Sequence, residues 1–172
     1  MRSIRCMAWA IAGRFNDSRK YKGVITQSFK ISSPLAHDAN SQAWMERIQL
    51  GLMQFNQRAH NLDFAQLLVF AHKDTELLGG LIASTGWSWL HIDTLFVEPS
   101  ARRQGVASAL LKQAEHKARG LGCIGAYVDT FDFQAPAFYL RQGYTQFGLL
   151  ADMPPGSRRF YLQKRLDGRE NN

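Results

Sequence analysis

Downstream of Gly105 the chain alternates between dry and wet positions with a helical period. Ala107, Leu110, Leu111, Ala114 and Ala118 recur at i, i+3, i+4, i+7 and i+11, which places them on one face at 3.6 residues per turn. Lys112, Gln113, Glu115, His116, Lys117 and Arg119 fill the opposite face, Glu115 is spaced to pair with Arg119, and Gly120 and Gly122 end the helix. Just upstream, Leu90, Ile92, Leu95, Phe96 and Val97 form a β-favouring run closed by Glu98-Pro99-Ser100. The pattern therefore predicts strand, turn and helix in that order.

Other elements follow by the same reading. Ser41 to Gln57 carries Trp44, Met45, Ile48, Leu52 and Phe55 on one helical face, expected to form a wall of an acceptor cleft. Leu67 to Ala71 and Leu77 to Ser84 read as a hairpin around residues 72–76, and a turn at Thr85-Gly86 joins the run from Leu90, giving three antiparallel strands in sequence. A strand over Cys123 to Thr130 leads to a short helix entered through Pro136 and stopped at Gly143-Tyr144. Tyr144 to Leu149 and Arg158 to Lys164 read as strands separated by Met153-Pro154-Pro155-Gly156, and Val24 to Ile31 as an initial strand. No internal repeat or linker suggests a second domain.

The junction at Gly105 has a chemical meaning. A strand that delivers main-chain amides to a helix N-terminus builds an anion cradle, and glycine lets a phosphate approach the backbone because no Cβ stands in the way. Ala107 keeps the next position small, while Arg102 and Arg103 add charged donors at the lip. These residues point to a phosphorylated cofactor.

Together, the segments Leu90–Ala107 and Tyr127–Tyr144 resemble the GNAT N-acetyltransferase superfamily, whose cofactor site is a Q/RxxGxG/A loop followed by a strand and a helix ending xYxxxGF. Arg102, Gly105 and Ala107 match the first part, and Tyr139 with Gly143-Tyr144 the second. Ala107 replaces a glycine, Tyr144 a phenylalanine, and Gln134 an asparagine often found before the second helix. The likeness spans about residues 25 to 166. It implies an α/β (α+β) GNAT fold: a mixed, mostly antiparallel sheet of six to seven strands, helices on both faces, and a splayed parallel pair at the acetyl-CoA site. Implied domains are a basic extension over 1–23, the transferase domain over 24–167 and a tail over 168–172. The implied acetyl-CoA site comprises Leu95, Phe96, Val97, Arg102, Arg103, Gln104, Gly105, Val106, Ala107, Ser108, Gln134 and Tyr139, with no metal.

Composition alters this picture little. The chain has 172 residues, is 45% hydrophobic and 20% charged, and contains no apolar run near the roughly 18 residues of a membrane span. Its two cysteines, Cys6 and Cys123, lack metal or disulfide spacing, so a reducing cytoplasm is expected. A net charge of +7 would suggest nucleic acid, but +6 of it lies in residues 1–35, where seven basic residues face Asp17 alone. No nucleic-acid or membrane partner is expected, and a homodimer is only a family-level expectation.

The resemblance also frames the chemistry. An amine attacking a thioester needs a free lone pair, a stabilised carbonyl oxygen and a proton for the departing thiolate. A backbone N–H at Val97 or a neighbour is expected at the carbonyl, and Tyr139 beside the sulfur, with direct transfer and no role for Cys123 as nucleophile. Strict alternation sends His91, Asp93, Leu95 and Val97 to one face, making His91 and Asp93 candidates for the base. Equally, Asp93 could hold an ammonium while water takes the proton, or the pair could be structural. Asp129 and Asp132 are expected to ring the cleft with negative charge; Trp87, Trp89, Phe131 and Phe133 read as packing residues or pocket lining, and Arg158 and Arg159 as a wet strand edge.

The expected activity is acetyl-CoA-dependent N-acetylation of a small-molecule primary amine, polyamine-like or aminoglycoside-type. Two rivals are a protein lysine or N-terminal acetyltransferase and a non-catalytic acyl-CoA sensor or assembly module. Bulky Trp44, Trp87 and Trp89 argue for a closed pocket over an open peptide groove.

Overall fold

The computed structural model describes residues 31, 33, 39–60 and 63–169. The basic extension and, apart from Ile31, the strand expected at Val24–Ile31 lie outside the described residues. The chain divides into two compact units, one ending at Asn61 and one beginning at Leu62. In the first, helix α1 (Ala39–Ala59) forms where the apolar period predicts it, with Gln42 donating to Glu46 at 3.0 Å one turn along. No helix among the described residues is long and apolar enough to cross a membrane.

The second unit is built from β1 (Ala65–Lys73), β2 (Glu76–Gly86), β3 (Trp89–Val97), a 3-10 turn at Pro99–Ala101, α2 (Val106–Gly120), β4 (Gly125–Phe131), α3 (Pro136–Arg141), β5 (Thr145–Ala151) and β6 (Arg158–Arg165). Six strands lie in the order β1-β2-β3-β4-β6-β5. All neighbours are antiparallel except β3 and β4, and α2 is the crossover that a parallel pair requires.

The predicted dry face of α2 is the one that becomes buried. Leu110, Leu111, Ala114 and Ala118 join Leu81, Ala83, Leu90 and Ile92 in the core, and the two alanines let helix and sheet approach closely. Burying one such leucine is worth about 1.5–3 kcal/mol, so this interface anchors the unit. Glu115, although on the wet side of the pattern, is buried. It accepts from Lys164 of β6 at 2.9 and 3.0 Å, and its expected partner Arg119 stands farther off at 3.5 Å.

Two local features depart from the sequence pattern. The turn expected at Thr85-Gly86 falls at Trp87-Ser88, both with positive φ, because the ladder continues to the pair Gly86–Trp89 and leaves a two-residue hairpin loop; the Phe64 ring lies over Gly86, where a Cβ would come within 2.2 Å. A bulge in the β2–β3 ladder matters more: Ile82 faces Thr94 and Ala83 faces Ile92, leaving Asp93 without an opposite residue. That extra residue shifts the alternation. Leu95 and Val97 thus pack against the core with Leu90 and Ile92, contrary to the strict alternation that grouped them with His91 and Asp93.

Gly125 shows how tightly the opposite face is fitted. A Cβ there would meet the Trp89 ring at 2.5 to 2.8 Å, and Trp89 is itself covered by the Arg165 guanidinium and packs edge-on against Tyr127. Gly125→Ala is expected to lower stability by about 1–3 kcal/mol, read from urea unfolding midpoints at unchanged slope.

Candidate functional site

Three features, two of backbone and one of side chains, lie about the split of β3 from β4. The first is the loop into α2, where Gly105 is the N-cap in the left-handed region at φ +83° and receives no side-chain capping bond. Among the described residues, a Cβ at Gly105 would meet no atom within 4 Å, and no acidic residue occupies the first turn of α2. The cradle is thus open on the side from which an anion would arrive, and its first-turn amides fit a pyrophosphate. Residues 102–105 are exposed, and Arg103 adopts φ +61°. Arg102 donates through Nε to the Val97 carbonyl at 3.1 Å, and Gln104 through Nε2 to the Ser100 carbonyl at 2.8 Å, both at exposed positions. Both brace the loop. Ser108 accepts from Gln142 at 3.2 Å, tying α2 to the end of α3.

The second piece is the split between β3 and β4. Their pairing runs from Trp89 opposite Gly125 to Ile92 opposite Val128 and stops there. Glu98 donates its N–H to Leu78, on the β2 side. Since successive residues of a strand turn their backbone groups to opposite edges, Leu95 and Val97 direct theirs toward the slot, whereas Phe96 directs its own toward β2.

A chain of polar side chains forms the third piece, on the sheet face opposite the core. Asp93 and Asp129 are the first residues past the last β3–β4 pair, one on each lip of the split, and His91 lies between them. Its Nδ1 is 2.9 Å from Asp93 Oδ1 and its Nε2 is 4.0 Å from Asp129 Oδ1. The first distance is a hydrogen bond from Nδ1–H to the carboxylate, which fixes the tautomer with the lone pair on Nε2; the second is too long for one. The imidazole stacks on Tyr127 at 4.5 Å, which holds its plane.

Asp129 is in turn gripped by Arg159, whose Nε donates to Oδ2 at 2.6 Å and whose Nη2 reaches the same oxygen. Arg159 is 7% exposed, so the wet strand edge expected there is a buried ion pair. The expected ring of negative charge is also corrected, because Asp132 accepts from the Arg158 N–H at 3.0 Å and lies 3.6 Å from its Nε. Arg159 is the site residue that sequence reasoning missed. The signal was present as alternation, since Arg159, Tyr161 and Gln163 share one face, but it needed the pairing of β6 with β4 to bring Arg159 opposite Phe131 and within reach of Asp129.

Behind the slot, on the core side, Tyr139 of α3 is 5% exposed and packs edge-on against Phe138 and Tyr144. Burial, and then the charge of Asp129, push its phenol up to about 12. Gln134 commits its side-chain oxygen to the turn between β4 and α3, accepting from the Phe131 N–H at 3.0 Å and the Thr130 hydroxyl at 3.2 Å. Burial also pushes the Cys123 thiol up, which makes it a poor nucleophile.

Residues 33–144 match the model of the acetyltransferase (GNAT) family. Over 92 residues the chain is 48% identical to a blasticidin-S acetyltransferase of Streptomyces morookaense, covering 53% of this chain and 68% of that protein. It is 37% identical over 87 residues to an aminoglycoside N(6')-acetyltransferase type 1 of Klebsiella aerogenes, covering 49% of this chain and 52% of that one. Among solved structures, an acetyltransferase from Bacillus cereus superposes with a TM-score of 0.70 at 26% identity, over 81% of this chain and 97% of the other.

Proposed function

The chain belongs to the GNAT acetyltransferase family, an N-acetyltransferase that uses acetyl-CoA, and on that premise we propose that its acceptor is a primary amine on a small molecule, polyamine-like or of the aminoglycoside type. The observation that carries this reading is the pair Asp93 and Asp129 on the two lips of the split, with His91 between them. Among the described residues, two carboxylates meet at this corner against the Arg159 guanidinium, a balance suited to draw in an ammonium group. The names of two matched relatives, which modify blasticidin S and an aminoglycoside, favour the same class of acceptor.

When bound, acetyl-CoA supplies the acetyl group activated as a thioester. The amides of residues 105–108 and the Arg103 side chain would hold its pyrophosphate, and the slot-facing backbone of Leu95 and Val97 would line its arm. One of those two N–H groups would polarise the carbonyl. His91 would take a proton from the acceptor's ammonium at Nε2 and so free the amine lone pair, while Asp93, bonded to Nδ1, keeps the ring turned and steadies the imidazolium that forms. The free amine would then attack the thioester carbon directly; as the C–N bond forms the C–S bond breaks, and the thiolate leaves with the second proton shed by the new amide nitrogen.

Tyr139 completes the set by meeting the departing sulfur. With its phenol near 12 and a thiol near 8.5, full proton transfer would be uphill by about 5 kcal/mol, so Tyr139 keeps its proton and donates a hydrogen bond. A bond of that kind to a charged sulfur is worth about 1.5–3 kcal/mol. Tyr139→Phe should therefore lower kcat roughly ten- to hundredfold while the Kd for acetyl-CoA changes less than about twofold; an unchanged kcat would remove Tyr139 from the chemistry.

A panel of amines assayed for thiol release from acetyl-CoA tests the function itself. Turnover with polyamines or aminocyclitol antibiotics is expected. Acetylation confined to lysines or N-termini of protein substrates would overturn the proposed acceptor.

A further inference from the structure

Arg159 belongs to no motif of the family resemblance, yet it occupies the most constrained position in the polar chain. Its guanidinium is buried, lies over the rings of Phe131 at 5.3 Å and Tyr161 at 5.6 Å, and closes on Asp129 through two nitrogens. Ring contacts and a two-nitrogen grip thus hold the guanidinium against the Asp129 carboxylate.

We infer that Arg159 is a positioning residue for acetyl transfer, neutralising Asp129 so that this carboxylate does not hold a proton on His91 and Nε2 stays open to the incoming amine. The inference rests on the reading of His91 as the base. Its logic is the charge balance around one imidazole. From β3, Asp93 is bonded to Nδ1; from β4, Asp129 faces Nε2 and Tyr127 stacks on the ring; on β6, Tyr161 pairs with Asp129; on β2, the residue opposite is Ser84, which does not titrate. Two carboxylates on one ring favour the imidazolium, which has no lone pair to offer. Arg159 supplies the compensating positive charge. The same carboxylate also helps keep Tyr139 protonated, so the Arg159–Asp129 pair bears on both groups that handle protons.

The test compares the pH dependence of kcat/KM in Arg159→Met, Arg159→Lys, Asp129→Asn and the double variant Asp129→Asn/Arg159→Met. In Arg159→Met the acid limb should move up by about one pH unit, because an uncompensated carboxylate within about 4–6 Å favours the protonated ring by that much or more. Arg159→Lys keeps the charge and should leave the limb within about 0.3 unit. Asp129→Asn should move it down, and the double variant should return it close to the parent.

A parallel measurement needs no turnover: the titration of the His91 ring followed by NMR in the ligand-free protein, assigned by its loss in His91→Asn. That titration should shift to higher pH in Arg159→Met. A ring titration unmoved in both Arg159→Met and Asp129→Asn, or moved as far in the double variant as in Arg159→Met, would overturn the inference. Should Arg159→Met fail to fold, Asp129→Asn alone decides, by a shift to lower pH or none. Absence of acetyl transfer to every amine would count against the proposed function, while the NMR titration would still judge Arg159.

Discussion

Gly105→Glu is expected to raise the Kd for coenzyme A at least a hundredfold, whereas Gly105→Ala raises it by no more than about tenfold, both read by isothermal titration calorimetry. The two substitutions share one cost, since any Cβ in the left-handed region at φ +83° is strained by about 1–2 kcal/mol. They also share a lack of steric conflict, because nothing among the described residues lies within 4 Å of the position a Cβ would take. What separates them is the carboxylate, which would stand in the cradle formed by the first amides of α2 and repel the pyrophosphate. A hundredfold loss corresponds to about 2.7 kcal/mol, within the range expected for removing charge-assisted hydrogen bonds. Equal affinities for the glutamate and alanine variants would mean that the phosphates bind elsewhere.

The second large effect is expected at His91. His91→Ala should lower kcat/KM by about a hundred- to a thousandfold, the usual contribution of a positioned general base, with coenzyme A affinity retained. Asp93→Asn, which replaces an acceptor-only carboxylate with a neutral amide that can also donate and so no longer fixes the Nδ1–H tautomer, should cost less, about tenfold, and should change the shape of the pH–rate profile. Superimposable profiles for the parent and both variants would exclude the pair as the base and leave water in that role.

What the chain discloses by itself depends on how far apart the interacting residues lie. Helix α2 and its glycine entry were legible because the apolar period and Gly105 fall within one short window, and α3 because Pro136 and Gly143 bracket it. His91 and Asp93 were legible as a pair because they sit two residues apart on one strand. The bulge at Asp93 was not, since it exists only in the register between β2 and β3, and a single strand read alone gives no reason to interrupt its alternation. Arg159 was hidden for a similar reason: thirty positions separate it from Asp129, and the ion pair depends on β6 lying beside β4. Likewise Glu115 looked like a surface acid until Lys164, 49 positions away, was brought to it.

The irregularity at Asp93 has an evolutionary corollary. It divides β3 into a polar half, with Trp89, His91 and Asp93 facing away from α2, and a half whose Leu95 and Val97 seat that helix beside the cradle. On the proposed roles, substitutions in the first half would bear on the acceptor while the second half keeps α2 packed on the sheet. A scaffold partitioned in this way would, on that proposal, let the acceptor change without rebuilding the interior.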